Sequence, residues 1–464
     1  MKDVKHDLGL RIAKVLPSLF AVVPFALMWY WYFADSIRAP FFNRGNWVVV
    51  GLYLVLYVTF ARVYDAFLVS LNRISEMIYS QALAVLISDC LIFVVIWLLN
   101  HDFPNILPCL VTLAVQLVLI SLWSLFAHKW YFKTFPPAKT AVVYDHQYHV
   151  ENLLQEYGLE KKFDVQLTVD AESCTGNLHA LEDYQVVFIC GVQSHVRNTI
   201  LKHCTEKGIV VYVLPRIGDL IMSGAKRMHM FHLPMLRVDR WNPSPEYVFF
   251  KRLFDIVSSA LALLVLSPVM LVTAIAIKAT DGGPVFYKQN RLTKDGKVFK
   301  VLKFRSMRVD AEKDGVPRLS TGDKDDRITP VGRLIRKLRI DELPQLLNIL
   351  GGSMSVVGPR PERPEIAAQY EEELPEFRLR LQTKAGLTGY AQVYGKYNTT
   401  PYDKLQMDLM YIAKPSFLED LRIIFATIKI IFIPESTDGV AEGQTTAATK
   451  EENKEKELVG AGKN

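Results

Sequence analysis

The sequence is poor in cysteine: it has five among 464 residues, and none of them forms a Cys-x-x-Cys pair or a zinc-type spacing. We therefore expect free, reduced thiols rather than a zinc site or a disulfide framework. A nucleic-acid-binding signature is also missing, and the net charge of +6 is modest. Such a charge is compatible with anionic phosphates or a lipid surface. The first apolar run is followed by others, which argues against a cleaved signal peptide.

Four apolar runs fill the first quarter of the chain, at residues 16–34, 47–60, 82–99 and 106–126. They approach the length of about 20 residues that a membrane-spanning helix needs. Nine Lys and Arg residues flank them on one side and only two on the other, Arg38 and Arg44. The positive-inside rule then places both ends of the bundle in the cytosol. The sequence predicts a four-helix transmembrane bundle over residues 1–135.

Residues 136–244 alternate between strand-like and helical segments. The predicted strands are 141–144, 163–169, 186–190 and 209–214, and the helices include 149–157 and 195–206. This pattern is typical of a Rossmann-like α/β domain. No glycines follow the first strand, where a dinucleotide pyrophosphate would approach the backbone. We therefore expect a scaffold or regulatory domain without a cofactor.

The third predicted domain, residues 245–434, begins with a long apolar stretch at 253–277. Basic residues lie on both sides of the stretch, and Ser267-Pro268 interrupts it. This pattern predicts a re-entrant helix-break-helix that enters and leaves the membrane on one side, the alternative being an ordinary kinked span. An amphipathic segment at 417–433 closes the domain. The last residues, 435–464, have the composition of a disordered tail.

A basic ribbon follows the apolar stretch: eight Lys and Arg residues lie between Lys288 and Arg308, with one acid, Asp295. Asp295-Gly296 is a hairpin turn signal between two strand-like runs, 285–292 and 298–304. Taken alone, the ribbon could be a solvated face or a phosphate and headgroup surface.

Two adjacent acids, Asp341 and Glu342, lie between two predicted short helices. Thr329 and Pro330 are a good N-cap and first residue for the earlier helix, which is basic. Pro344 fits only the first turn of the later, apolar helix, so Asp341 is expected near its N-terminus. Adjacent acids are commonly no more than surface residues. Beside several arginines, however, such a pair can hold Mg²⁺ and a diphosphate together.

Four sequence motifs in these segments resemble those of a known protein family. They are Lys303 to Met307, Arg336 to Gln345, Gly358-Pro359-Arg360-Pro361 and Gly386-Leu387-Thr388-Gly389. In this order they resemble the bacterial sugar transferases known as monotopic polyprenyl-phosphate glycosyl-1-phosphate transferases. The preceding bundle and Rossmann-like domain resemble the long members of that family, which start capsule, exopolysaccharide or O-antigen synthesis. The fold class implied is a membrane protein of mixed α and α/β type with a mostly α catalytic domain.

The resemblance implies a role for each site residue. Asp341 is the nucleophile, Glu342 a Mg²⁺ ligand, and Ser267-Pro268 the re-entrant break. Phosphate or substrate contacts are implied for five basic residues: Lys303, Arg305, Arg336, Arg360 and Lys396. The expected partners are a UDP-sugar, a polyprenyl (undecaprenyl) phosphate and the lipid bilayer. The expected location is the bacterial inner membrane, with the catalytic domain on the cytosolic face and a homodimer as a possibility.

Two departures from the family pattern and two rival functions remain. Ala385 stands where Pro is usual, and Lys396 where Arg is common, although Lys lacks the bidentate fork of Arg.

One rival is a membrane-anchored nucleotide-sugar dehydratase, whose Tyr-x-x-x-Lys spacing occurs at Tyr157/Lys161 and Tyr247/Lys251 without a glycine fingerprint. The other is a non-catalytic regulator of polysaccharide assembly.

Overall fold

The structure, a computed structural model, describes residues 2–38, 40–41, 44–145, 154, 158–241, 243–309, 327–395 and 400–431. Lys396, most of the predicted helix 149–157 and the tail 435–464 lie outside these ranges. The chain forms two compact units, Met1–Pro215 and Arg216–Asn464. The sequence placed this boundary at residue 245. The earlier division arises because Leu220 is buried in the same apolar cluster as Phe377 and Tyr411 of the second unit.

Four long helices open the first unit. They are α1 (Lys2–Met28, extended by a π-helical turn, Trp29–Phe33), α2 (Arg44–Val63), α3 (Ile74–Asn100) and α4 (Leu107–Thr134). Each predicted apolar run lies in one of them, and all four are long and apolar enough to cross a membrane. One buried polar cluster connects all four helices. Tyr53 on α2 donates to Asp89 on α3 (2.7 Å), and Gln116 on α4 donates to Tyr53 (2.8 Å) and to the carbonyl of Ala21 on α1 (2.7 Å).

A four-stranded parallel sheet completes the first unit. Its strands are β1 (Ala138–Tyr144), β2 (Phe163–Asp170), β3 (Val186–Cys190) and β4 (Val210–Val213), in the order β2-β1-β3-β4. The helices α5 (Ala171–Gly176) and α6 (Ser194–Glu206) connect them. The four predicted strands and the helix at 195–206 are confirmed. Val143, Val187 and Ile189 are buried between the sheet and these helices, as the apolar runs of a parallel sheet require.

The second unit is mixed α and β, with small sheets rather than one large sheet. In order it contains α7 (Ile217–Ser223), β5 (Lys226–Met230), β6 (Leu233–Arg237), α8 (Pro245–Asp281), β7 (Phe286–Leu292), β8 (Val298–Phe304), α9 (Pro330–Lys337), α10 (Gln345–Leu350), β9 (Ser355–Val357), α11 (Pro364–Glu373), β10 (Gly386–Thr388), α12 (Tyr390–Tyr394), α13 (Pro401–Ala413) and α14 (Phe417–Ile431). The predicted β7–β8 hairpin is confirmed, with Asp295 and Gly296 both at positive φ in its turn.

Helix α8 is one continuous element, so the interruption expected at Ser267-Pro268 does not divide it into two helices. Pro268 cannot donate to the carbonyl of Leu264 four residues earlier. The hydroxyl of Ser267 donates to that carbonyl instead, at 2.8 Å. The backbone acceptor that proline leaves without its amide donor is therefore satisfied locally, which allows the helix to continue.

Both halves of α8 pack against the rest of the second unit. Near its start, Arg252 donates to the carbonyls of Ile349 (2.7 Å) and Leu350 (2.8 Å) at the end of α10. Asp255, which is buried, accepts from the hydroxyl of Ser355 (2.8 Å). Near its end, Ile277 belongs to a buried apolar cluster. That cluster contains Phe304 and Ile335 and takes in Leu343.

Arg252 ties the start of α8 to carbonyls that have no partner within α10, and a charged donor of this kind contributes about 1.5–3 kcal/mol. Replacing it, Arg252→Met, should lower the thermal unfolding midpoint in detergent by roughly 3–10 °C. Thr280→Ala, an exposed change on the same helix, should leave the midpoint unchanged. Equal midpoints for the two variants would show that this contact does not stabilise the unit.

Candidate functional site

The adjacent acids lie on a single turn of 3-10 helix, Ile340–Glu342, between α9 and α10. Thr329 caps α9 by accepting from the amide of Gly332 (2.9 Å), as the sequence predicted. After α9, Arg339 adopts a left-handed conformation (φ 53°), which is uncommon for a residue other than glycine. The left-handed conformation of Arg339 ends α9, and the 3-10 turn begins at the next residue. Asp341 thus lies four residues before α10, whose N-cap is Pro344.

Glu342 is held by two cations from different parts of the chain. Lys303, next to the last residue of strand β8, donates from Nζ to Glu342 Oε1 at 2.8 Å. Arg360, on the loop after β9, donates from Nη2 to the same oxygen at 3.1 Å. Two of the predicted motifs therefore meet on a carboxylate that belongs to a third.

The two neighbouring acids have opposite electrostatic settings. Burial, and then the charge of Glu342, raises the pKa of Asp341 to about 6, although Lys303 and Arg336 act against the shift. Burial also opposes ionisation of Glu342. The charges of Lys303 and Arg360 outweigh it and hold the Glu342 pKa well below its usual range. The pair therefore consists of one firmly ionised carboxylate and one that is harder to ionise.

The remaining predicted basic residues have different positions. Arg336, on the last turn of α9, lies close enough to Asp341 to lower its pKa, and its buried Nη1 has no hydrogen-bond partner among the described residues. A buried guanidinium N–H beside a carboxylate is suited to an incoming anion. Arg305 is buried, and its guanidinium lies against Gly283, where an added Cβ atom would displace it. The position of Lys396 lies outside the described residues.

The two glycine motifs form one packing unit. Strands β9 and β10 pair in parallel, and the amide of Gly358 donates to the carbonyl of Thr388 at 2.8 Å. A Cβ atom on Gly386 would overlap the amide nitrogen of Gly358, and one on Gly389 would overlap its carbonyl oxygen. These glycines are therefore needed for close backbone approach. Ala385, which replaces the usual Pro, uses the amide that Pro would lack to donate to Thr293 (3.2 Å).

A buried ionic network behind Arg360 was not predicted from the sequence. Arg380 pairs with Asp408 at 2.8 Å and approaches Glu362 at 3.6 Å, while Arg291 approaches Glu362 at 3.8 Å. A signal for Asp408 was present: it lies on the same face of α13 as Leu405 and Ile412, which are buried. An acid on the apolar face of a helix indicates a buried ion pair.

The dehydratase-type pair Tyr247/Lys251 has a structural role. Both side chains donate to the buried carboxylate of Asp420, Tyr247 at 2.9 Å and Lys251 at 3.0 Å. Lys251 also donates to the hydroxyl of Tyr411 (3.0 Å). This network joins the start of α8 to α13 and α14, and its interior position does not suit an exposed catalytic pair.

The donor set is compatible with Mg²⁺. Among the described residues no three His, Cys, Asp or Glu side chains form a metal cluster. Mg²⁺ is commonly bound by only one or two carboxylates together with substrate phosphates and water. Both ion pairs of Glu342 use Oε1, so its Oε2 is the atom that can turn towards a cation.

Comparison with known proteins identifies the family. Residues 246–434 match the bacterial sugar transferase family. A UDP-N-acetylgalactosamine-undecaprenyl-phosphate N-acetylgalactosaminephosphotransferase of Aeromonas hydrophila is 39% identical over 234 residues, 50% of this chain and 54% of that protein. A UDP-glucose:undecaprenyl-phosphate glucose-1-phosphate transferase of Klebsiella pneumoniae is 44% identical over 192 residues, 40% of this chain and 41% of that protein. The exopolysaccharide production protein PSS of Rhizobium leguminosarum bv. phaseoli is 45% identical over 187 residues, 38% of this chain and 92% of that protein.

The chain belongs to the bacterial sugar transferase family, because it covers nearly all of the Rhizobium protein at this identity. The match spans about half the length of the Aeromonas and Klebsiella proteins. The family match, residues 246–434, falls within the second unit, whose sequence contains Asp341, Glu342 and every other predicted substrate contact. The dehydratase and regulator alternatives receive no support from these relatives.

The glycine contact between β9 and β10 can be tested by adding one methyl group. Gly389→Ala should destabilise the second unit by about 1–3 kcal/mol and lower activity, since the backbone must move to admit Cβ. Gly218→Ala is the matched control, because nothing lies within 4 Å of the added Cβ in α7. That change should be neutral or stabilising. The thermal unfolding midpoint of each variant is compared with that of the unaltered protein. An unchanged midpoint for Gly389→Ala would contradict the packing argument.

Proposed function

We propose that this protein is a phosphoglycosyl transferase that moves a sugar-1-phosphate from a UDP-sugar to polyprenyl (undecaprenyl) phosphate and releases UMP. The observation that carries the proposal is the convergence of Lys303 and Arg360 on Glu342, one residue from Asp341. This arrangement brings a nucleophile, a metal-binding carboxylate and phosphate-binding cations together. The names of the Aeromonas and Klebsiella relatives describe the same class of reaction.

Asp341 acts as the nucleophile in the first step. Its carboxylate oxygen attacks the phosphorus next to the sugar, and the bond from that phosphorus to the bridging oxygen of the diphosphate breaks. The electron pair leaves with UMP, and an aspartyl phosphosugar remains. Arg336 and Arg360 stabilise the negative charge on the phosphate oxygens during the transfer.

The acceptor completes the reaction. An oxygen of the polyprenyl phosphate attacks the phosphorus of the aspartyl phosphosugar, and the bond to Asp341 breaks. This returns the free carboxylate and yields the polyprenyl diphosphate sugar, without a net proton transfer. Two steps at one carboxylate allow a soluble donor and a lipid acceptor to use the same site in turn.

We infer that Glu342 would hold Mg²⁺ beside the diphosphate. Bound Mg²⁺ would neutralise charge on the diphosphate and on the departing UMP. Lys303 and Arg360 keep Glu342 ionised and fix its Oε1, so the carboxylate is oriented before the substrate arrives.

Helix α8 is proposed to enter the membrane and return on the same side. The 26 residues from Arg252 to Ile277 would span about 38 Å in a straight helix. Arg252, near the start of α8, contacts Ile349. Ile277, near its end, packs in the cluster that takes in Leu343. Leu343 and Ile349 are only six residues apart in the sequence. Two ends bound to the same small unit cannot lie on opposite sides of a bilayer core of about 30 Å.

The exposed surface of α8 supports membrane insertion. Around Pro268, Leu264 is 73% exposed and Val272 is 67% exposed, and both are aliphatic. A stretch of this kind on a water-soluble surface would be costly, whereas lipid contacts stabilise it. The proposed site is thereby held at the level of the lipid headgroups, where a polyprenyl phosphate presents its phosphate.

The first unit is proposed to anchor the protein and to add a Rossmann-like domain without a cofactor. Helices α1 to α4 would cross the bacterial inner membrane four times, with the second unit on the cytosolic side where nucleotide sugars are available. The parallel strand order β2-β1-β3-β4 supports the Rossmann-like assignment. A homodimer through this unit is a further proposal, testable by the mass of the protein in nanodiscs.

The carboxylates are tested first. Asp341→Asn should abolish UMP release from a UDP-sugar, because an amide is too weak a nucleophile. Glu342→Gln should lower the rate by about 100-fold or more and raise the Mg²⁺ concentration needed. Assays use a panel of UDP-glucose, UDP-galactose and the N-acetylated donors, with Asp403→Asn on α13 as an active control. Full UMP release by Asp341→Asn would exclude Asp341 as the nucleophile.

The re-entrant topology is tested with single cysteines in a background without the native ones. Glu246→Cys and Lys297→Cys precede and follow the apolar part of α8, and both positions are exposed. Neither should react with an impermeant maleimide in intact cells, and both should react after lysis. Asp102→Cys, between α3 and α4, should react in intact cells. Labelling of Lys297→Cys from outside would show that α8 crosses the membrane.

A further inference from the structure

We propose that Arg291 and Arg380 are positioning residues that act through Arg360. They hold the loop Pro359–Glu362 in the one conformation that presents the Arg360 guanidinium to Glu342. The inference rests on the proposed function, since the activity of that site is what they would control. Neither residue contacts the paired acids directly in the hydrogen bonds and ion pairs of the described structure.

The loop depends on donors from outside itself. It contains two prolines, Pro359 and Pro361, which have no amide hydrogen. Its four consecutive carbonyls nevertheless all accept hydrogen bonds. Those of Pro359 and Glu362 accept from the amides of Gly386 and Leu292, each at 2.9 Å. The two middle carbonyls accept from arginine side chains.

Arg380 holds the carbonyl of Arg360 itself. Its Nη2 donates to that oxygen at 2.9 Å, and its Nε donates to Asp408 at 2.8 Å. The side chains of Arg380 and Asp408 are only 3% and 1% exposed. The guanidinium also stacks on Phe377, at 4.8 Å from the ring centre. A buried, charge-paired and stacked guanidinium has little freedom, so the Arg360 backbone is fixed with it.

Arg291 holds the next carbonyl, that of Pro361. Its Nη1 donates to the carbonyl of Pro361 at 3.0 Å, and its Nη2 donates to Gln289 at 2.8 Å. Glu362 lies between the two arginines and completes the arrangement. Burial opposes ionisation of Glu362, but Arg380, Lys404 and Arg291 outweigh it and lower its pKa. Two arginines of one ionised network therefore hold consecutive carbonyls of the loop.

The chemistry explains why arginine is needed at both positions. Each side chain uses two nitrogen atoms on two different acceptors, which the planar fork of guanidinium permits. Lysine keeps the charge but offers a single nitrogen. Loss of either clamp would let the loop shift, and a displacement of about 1 Å at a site that orients phosphate can cost up to 100-fold in rate.

Two variants separate positioning from stability. Arg291→Lys keeps a positive charge beside Glu362 but removes the fork. The double change Arg380→Met with Asp408→Leu removes the buried pair and leaves Glu362 with Arg291 and Lys404. Replacing a buried ion pair by apolar side chains is often neutral for stability. Each should lower kcat/KM for UMP release at least 10-fold while the thermal midpoint stays near that of the unaltered protein. Arg378→Met, exposed and two residues from Arg380, should have no effect.

The decisive measurement repeats these changes in an Arg360→Met background. If both arginines act through Arg360, each change should then lower kcat/KM by less than 2-fold, because the group that they position is gone. A 10-fold loss in both backgrounds, or a loss that follows the thermal midpoint, would overturn the inference. If Arg360→Met alone left full activity, the role of Arg360 in the proposed function would fail instead.

Discussion

The ion pairs of Glu342 are the interaction on which the proposed site depends. Lys303 comes from strand β8 and Arg360 from the loop after β9, and both reach one carboxylate oxygen. Each cation lowers the cost of the buried charge, and the carboxylate in turn keeps two otherwise repelling cations close together. Asp341, on the same turn, is placed by this contact. Glu342 is the carboxylate on which side chains of the other two motifs meet.

The rest of the second unit places these three pieces. The glycines at 358, 386 and 389 allow the backbones of β9 and β10 to approach closely. The loop that contains Arg360 follows β9 directly. Arg252 and Asp255 attach the start of α8 to β9 and to the end of α10, the helix that follows the turn containing Asp341. The helix that would enter the lipid is therefore hydrogen-bonded to α10 and β9, the elements next in sequence to the proposed site residues. We infer that membrane depth and catalytic geometry are set by one set of contacts.

Local features of the site were predictable from the sequence, and its long-range ion pairs were not. Thr329 and Pro330 predict the start of α9, and Asp295-Gly296 predicts the β7–β8 turn, because capping and turn preferences act over a few residues. The partnership of Arg380 with Asp408 depends on packing between distant segments, which periodicity does not encode. The burial of Leu220 depends on packing of the same kind, since the other buried members of its cluster lie more than a hundred positions later in the sequence.

The most direct test of the account is to locate the covalent intermediate. The full-length protein in nanodiscs would be incubated with a UDP-sugar and Mg²⁺ without polyprenyl phosphate, quenched, digested and mapped by mass spectrometry. The account predicts one phosphosugar adduct, on Asp341, that disappears when polyprenyl phosphate is added before the quench. An adduct on any other residue, or rapid turnover by direct transfer with no adduct on the reaction path, would contradict it.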